Sequence, residues 1–148
     1  MITSFFLLCI SGAQGYLHFK IYNATHIQFA FISTIFYMFS ESWIMFYFIG
    51  AGKTIKETIL KYNLDKSIYD DVILSKKKLF PHITMNVLLV GTVFVIGGGV
   101  HTKAISAMTH GLLFFVSLVH FMYLIYLQHF YFKDTARILT MLGDQIKE

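Results

Sequence analysis

The sequence predicts an all-α integral membrane protein, a four-helix transmembrane bundle forming a single domain, with a short amphipathic polar connection at one end. Three observations predict it. Hydrophobic residues make up 56% of the 148 positions and charged residues 14%, against about 45–50% and about 25% in soluble domains. The apolar residues fall into runs near 2–22, 26–50, 83–100 and 107–132, and roughly 20 residues suffice for a helix to cross a bilayer. The cations gather between those runs rather than along one face, as membrane topology predicts. That clustering also argues against nucleic acid as the partner of the net charge of +4.

Residues 2–22 are the weakest span. Phe5 to Ile10 would suit a signal-peptide core, but no Lys or Arg precedes it. The segment reads instead as a short, somewhat polar transmembrane helix. Ser11, Gly12, Ala13 and Gly15, with Gln14 and His18, suit a surface facing other helices rather than lipid. Tyr22-Asn23-Ala24-Thr25 reads as a tight turn, and Asn23-Ala24-Thr25 is formally a glycosylation sequon. The second span, His26 to Gly50, is expected to be interrupted at Ser40-Glu41-Ser42 and to leave the bilayer through the aromatic belt Phe46-Tyr47-Phe48. Gly50-Ala51-Gly52-Lys53-Thr54 is not a phosphate-binding loop, because Tyr47 stands where such a loop needs its first glycine. Gly50 and Gly52 are expected to loosen the helix there.

Residues 53–80 hold seven lysines and four acids. Ile55, Ile59 and Tyr62 recur at helical spacing, so the second span is expected to continue as an amphipathic surface helix, in a solvated connector lying on anionic headgroups. Ser67 followed by Asp70 loosely resembles a capping box for a second short helix. Pro81 suits the first turn of the third span. After the fourth span, Lys133 to Arg137 returns to water and a short amphipathic helix ends at Gly143. Ten of the twelve Lys and Arg residues lie in the 53–80 connection or the tail, Lys147 included. The positive-inside rule therefore puts that connection and both termini in the cytoplasm, in a multi-pass protein of the inner (cytoplasmic) membrane. One cysteine, Cys9, excludes an intrachain disulfide framework.

Two constellations could carry chemistry. On this topology His18, His26, His101 and His110 each stand at the outer end of one span, and imidazoles presented from facing helices are how bundles build metal and haem sites. Gly97-Gly98-Gly99 removes side chains one turn before His101, which would let a flat ring approach the backbone. The expectation is a b-type haem with His101 as one axial ligand and His110, His18 or His26 as the other. Copper or zinc held by three of the four is the alternative. No HxxxH or HxH motif supports either, and the opposing reading makes the glycines a helix contact and the histidines interfacial. Deeper in the bilayer, Glu41 and His120 are matched in depth, and a carboxylate in hydrocarbon needs a partner. They are expected to pair, as a proton relay or as helix glue. His82 and His129 are assigned no role.

These features make the leading expectation a small accessory or electron-transfer subunit of a larger respiratory-type membrane complex. Its partners would be membrane lipids and other membrane subunits or further copies of itself. The alternatives are a cofactor-free structural or assembly subunit, and a stand-alone membrane enzyme using Glu41 and His120.

Overall fold

The computed structural model describes residues 1–146; Lys147, counted above in the basic tail, lies outside them. Among the described residues the chain forms four helices, α1 (Ile2–Leu17), α2 (His26–Tyr62), α3 (Ser67–His101) and α4 (Ala107–Gln145). Three of them, α2, α3 and α4, are long and apolar enough to cross a membrane. α1 is not: its 16 residues make about 24 Å at ~1.5 Å per residue. It stops at Leu17 rather than reaching residue 22, because His18 turns left-handed (φ 54°) and closes the helix with its N–H on the Gln14 carbonyl.

The helices alternate in direction, and side-chain contacts set their register. Ser4 Oγ donates to Ser40 Oγ at 3.0 Å, so α1 begins halfway along α2. Phe31 meets Phe94 at 5.8 Å between ring centres across the antiparallel α2–α3 pair. Phe48 meets Phe132 at 4.9 Å across the parallel α2–α4 pair. The small residues of α1 do face helices: Ser11 and Gln14 are buried, Gly12 lies against the Phe114 ring and Gly15 against His26.

Connections are tight. Tyr22 and Asn23 both take positive φ (46° and 63°) in a turn closed by Ala24 N–H on the Ile21 carbonyl at 2.8 Å. Thr25 caps α2, its own N–H reaching the Gln28 side chain at 2.9 Å, half of a capping box. Ser106 Oγ accepts the Thr109 N–H at 3.1 Å and starts α4. Between α2 and α3 the cap is Asp65 rather than Ser67: its carboxylate takes both the Ser67 hydroxyl (2.6 Å) and N–H (2.9 Å). Those two bonds, the hydroxyl's first, hold the Asp65 carboxyl below its ordinary pKa.

Continuity is the main departure from expectation. Ser40 and Ser42 do not break α2, since each hydroxyl donates to the carbonyl one turn back, Phe36 at 2.8 Å and Met38 at 2.9 Å, so both are satisfied within the helix. Pro81 lies inside α3 rather than in its first turn, and α4 runs unbroken past Lys133 and Gly143. At 37 residues, α2 is about 55 Å long, well beyond the ~30 Å of hydrocarbon in a bilayer. The excess of all three long helices gathers into its own small core of Ile55, Ile59, Val72, Ile138 and Leu142. α2 thus continues through Ile55, Ile59 and Tyr62 as their spacing predicts, and residues 53–80 pack as an extension of the bundle. Gly52 does not loosen α2; it lets α3 approach, with the Lys76 side chain and Val72 lying over it. Burial there lowers the pKa of the Lys76 ammonium.

The long bundle therefore has a basic end, around Lys53, Lys76–Lys78 and Lys133, and a histidine end at the 18–26 and 102–106 connections.

Candidate functional site

Each long helix buries one face on which one or more polar residues stand among apolar ones. On α2 the buried stripe includes Ser33, Thr34, Tyr37, Glu41 and Ile44. On α3 it is Leu79, Ile83, Asn86, Val90 and Val93, and on α4 it includes Ser117, Phe121, Leu124 and Gln128. The spacing is the i, i+3/i+4 pattern of one helix face. A polar side chain on such a face must find partners inside the bundle.

Asn86 is the hub. Its Oδ1 accepts the Tyr37 hydroxyl at 2.6 Å. Its Nδ2 donates to the Ser117 carbonyl at 3.0 Å and meets His120 Nδ1 at 3.0 Å. An amide nitrogen only donates, so His120 Nδ1 is an acceptor and a neutral His120 carries its proton on Nε2. That nitrogen faces His82 Nδ1 at 3.4 Å. Three helices are thereby joined by one directional chain: Tyr37, Asn86, His120, His82. Tyr123, 48% exposed, stands edge-on to the His82 ring at 5.3 Å, so the imidazole pair is half-buried beside the bundle surface.

Glu41 is fully buried, as expected of a carboxylate in an apolar span, but its partner is not His120. Gln128 Nε2 donates to Glu41 Oε2. Helix phase explains the correction. His120 stands on α4 level with Tyr37, whose ring lies 4.9 Å from Phe121, while Glu41 lies one turn further along α2. At that level Gln128 is the α4 polar residue that turns inward. Glu41 Oε1 and Gln128 Oε1 keep hydrogen-bonding capacity that no protein group fills.

The four histidines at the opposite end divide. His26 and His110 turn inward, each half-buried. His26 lies against Gly15, and the His110 ring occupies the space over Gly97. The Nδ1 atoms of both are buried without a protein partner. His18 and His101 are exposed, His18 because it is the left-handed cap of α1 and His101 because it lies in the last turn of α3. Gly99 is covered by Ile105 and Gly98 faces open space. Within the glycine run, Gly97 thus admits the His110 ring and Gly99 the Ile105 side chain. Among the described residues no three His, Cys, Asp or Glu side chains gather as a metal site.

Three residues of this interior escaped sequence reasoning. Asn86 and Gln128 are single amides inside apolar runs, and that isolation was the available signal. His82, assigned no role from the sequence, lies against His120 across the α3–α4 pair. The chain matches no protein-family model, no curated protein and no solved structure.

Proposed function

We propose that this protein is a small integral membrane subunit that transfers protons through its interior, as an accessory part of a larger membrane complex. The observation that carries the reading is the chain linking His82, His120, Asn86 and Tyr37 across three helices. Ionisable side chains within apolar spans are costly and typically mark ion or proton pathways. His82 stands one turn from Lys78 at the basic end, so it is the group that exchanges protons with water. His120 passes its Nε2 proton to His82 Nδ1 while His82 gives up the proton on its own Nε2 to water, and His120 is recharged by a proton taken up on Nδ1 when Asn86 turns away. Asn86 does not carry the proton; it fixes the imidazole tautomer, the role a carbonyl or carboxylate plays for many functional histidines. Beyond Tyr37, the open hydrogen-bonding capacity of Ser33, His110 and His26 continues the polar thread to the histidine end.

The test is the decay of an imposed pH gradient in liposomes containing the purified chain and a trapped pH-sensitive dye. The wild type is expected to accelerate the decay over empty liposomes, and His120→Phe to slow it by about tenfold or more, as for removal of a relay group. Decay no faster than in empty liposomes would leave the polar chain as glue between helices and the protein as a structural subunit.

A second reading rests on the inward pair His26 and His110. With both Nδ1 atoms unpartnered, they supply two nitrogens toward a haem b, copper or zinc site whose remaining ligands would come from outside this chain. Oxidised and dithionite-reduced absorption spectra of the complex isolated from its membrane test the haem form, with His110→Ala expected to abolish the band.

A further inference from the structure

We infer that α3 carries a specific binding site for one anionic phospholipid on its bilayer face at the basic end. The inference rests on the membrane reading of α2–α4 and not on proton transfer. Consecutive lysines part ways here. Lys76 folds inward over Gly52, while Lys77 and Lys78 are exposed. Among the described residues neither takes part in an ion pair, the one pair being Lys53–Glu57.

Directly beyond them runs a shallow, open apolar groove of about 680 Å³ along the outward face of α3, lined by Phe80, Pro81, Thr84, Met85, Leu88, Leu89 and Thr92. The opposite face of the same helix, Leu79, Ile83, Asn86, Val90 and Val93, is buried in the bundle. The groove therefore belongs to whatever surrounds the protein. From Pro81 to Thr92 it is about 16 Å long, half of the ~30 Å hydrocarbon thickness and so one leaflet deep.

Charge and shape together select the occupant. Two exposed lysines without ion-pair partners, on the helical turn before an apolar groove one leaflet long, match a phosphate carrying an acyl chain. Basic residues beside a membrane attract anionic lipids at about 1 kcal/mol each when merely nearby, and a chain seated in the groove adds contacts that a diffuse basic collar lacks. Pro81 helps to shape the mouth: with no N–H to offer, it leaves the Lys77 carbonyl without its helical donor.

Native mass spectrometry of the full chain released from detergent tests the site, using dioleoyl phosphatidylglycerol and dioleoyl phosphatidylcholine as probes. The expected result is retention of one phosphatidylglycerol per chain at least ~10-fold more tightly than phosphatidylcholine. Lys77→Gln/Lys78→Gln should reduce phosphatidylglycerol to the phosphatidylcholine level. Lys61→Gln/Lys133→Gln, with the same change of net charge elsewhere, should leave the preference intact. Leu88→Trp, a substitution on a side chain 65% exposed, should fill the groove and weaken retention of both lipids. An unchanged preference in the Lys77/Lys78 variant, or an equal loss in the Lys61/Lys133 variant, would overturn the site in favour of nonspecific attraction. Leu88→Trp without effect would overturn the groove as the acyl-chain seat. None of these readouts depends on proton flux, so failure of the proton pathway and failure of the lipid site are told apart.

Discussion

Asn86→Leu is expected to lower the stability of the bundle by about 2–4 kcal/mol, since it removes three interhelical hydrogen bonds worth about 0.6–1.7 kcal/mol each in membrane proteins. Leucine fits an apolar interior, so the loss comes from the stranded partners: the Tyr37 hydroxyl, the Ser117 carbonyl and His120 Nδ1. Unfolding in mixed micelles by added sodium dodecyl sulfate measures it. Gradient decay in liposomes should slow as well, because His120 is then free to adopt either tautomer. Tyr37→Phe removes one of the three bonds and should cost about a third as much. Equal effects of Tyr37→Phe and Asn86→Leu would mean that Asn86 is not the hub.

Phe121→Ala should be the most damaging single substitution, at about 3–5 kcal/mol, the usual cost of emptying an aromatic core site. Phe121 is 0% exposed. Its ring stands edge-on to Tyr37 at 4.9 Å and lies 6.1 Å from Phe5 of α1. In a bilayer, helix association depends on such packing rather than on escape from water, so a cavity here loosens α1, α2 and α4 together. The control is Phe115→Ala on the same helix, where the ring is 63% exposed and faces outward. It should change stability by no more than about 0.5 kcal/mol. The same micelle unfolding distinguishes the two.

Composition and run length were enough to read three of the helices and the segregation of charge to one end, because apolar content over ~20 residues is a property of the segment alone. The inward position of Glu41 was legible for a similar reason: facing lipid is too costly for a carboxylate. Its partner was not. Depth along a helix can be counted from sequence, but the rotation of each helix is fixed by contacts such as Phe48–Phe132 and Gly52–Lys76. Those bring Gln128, not His120, to Glu41. The same limit explains the histidines. Counting placed four at one level, whereas rotation and helix ends turn His26 and His110 inward and leave His18 and His101 exposed.

Helix continuity was misjudged on local grounds. Ser40 and Ser42 look like breakers until their hydroxyls are bonded to the preceding turn. The continuation of α2 through Ile55 and Ile59 was legible from their spacing, but not that these residues pack on Val72, Ile138 and Leu142. The contacts with α4 join residues about 80 positions apart, and a single sequence does not display them.

The account turns on the imidazole pair, and solid-state nitrogen NMR of histidine-labelled protein in lipid bilayers examines it directly. The His82 and His120 signals are assigned by their loss in His82→Gln and His120→Gln. The predicted result is a neutral His120 protonated on Nε2 and coupled through that hydrogen to His82 Nδ1, with the tautomer becoming mixed in Asn86→Leu. Two uncoupled rings, each with the tautomer mixture and proton exchange of a histidine in water, would contradict the chain and with it the proton pathway.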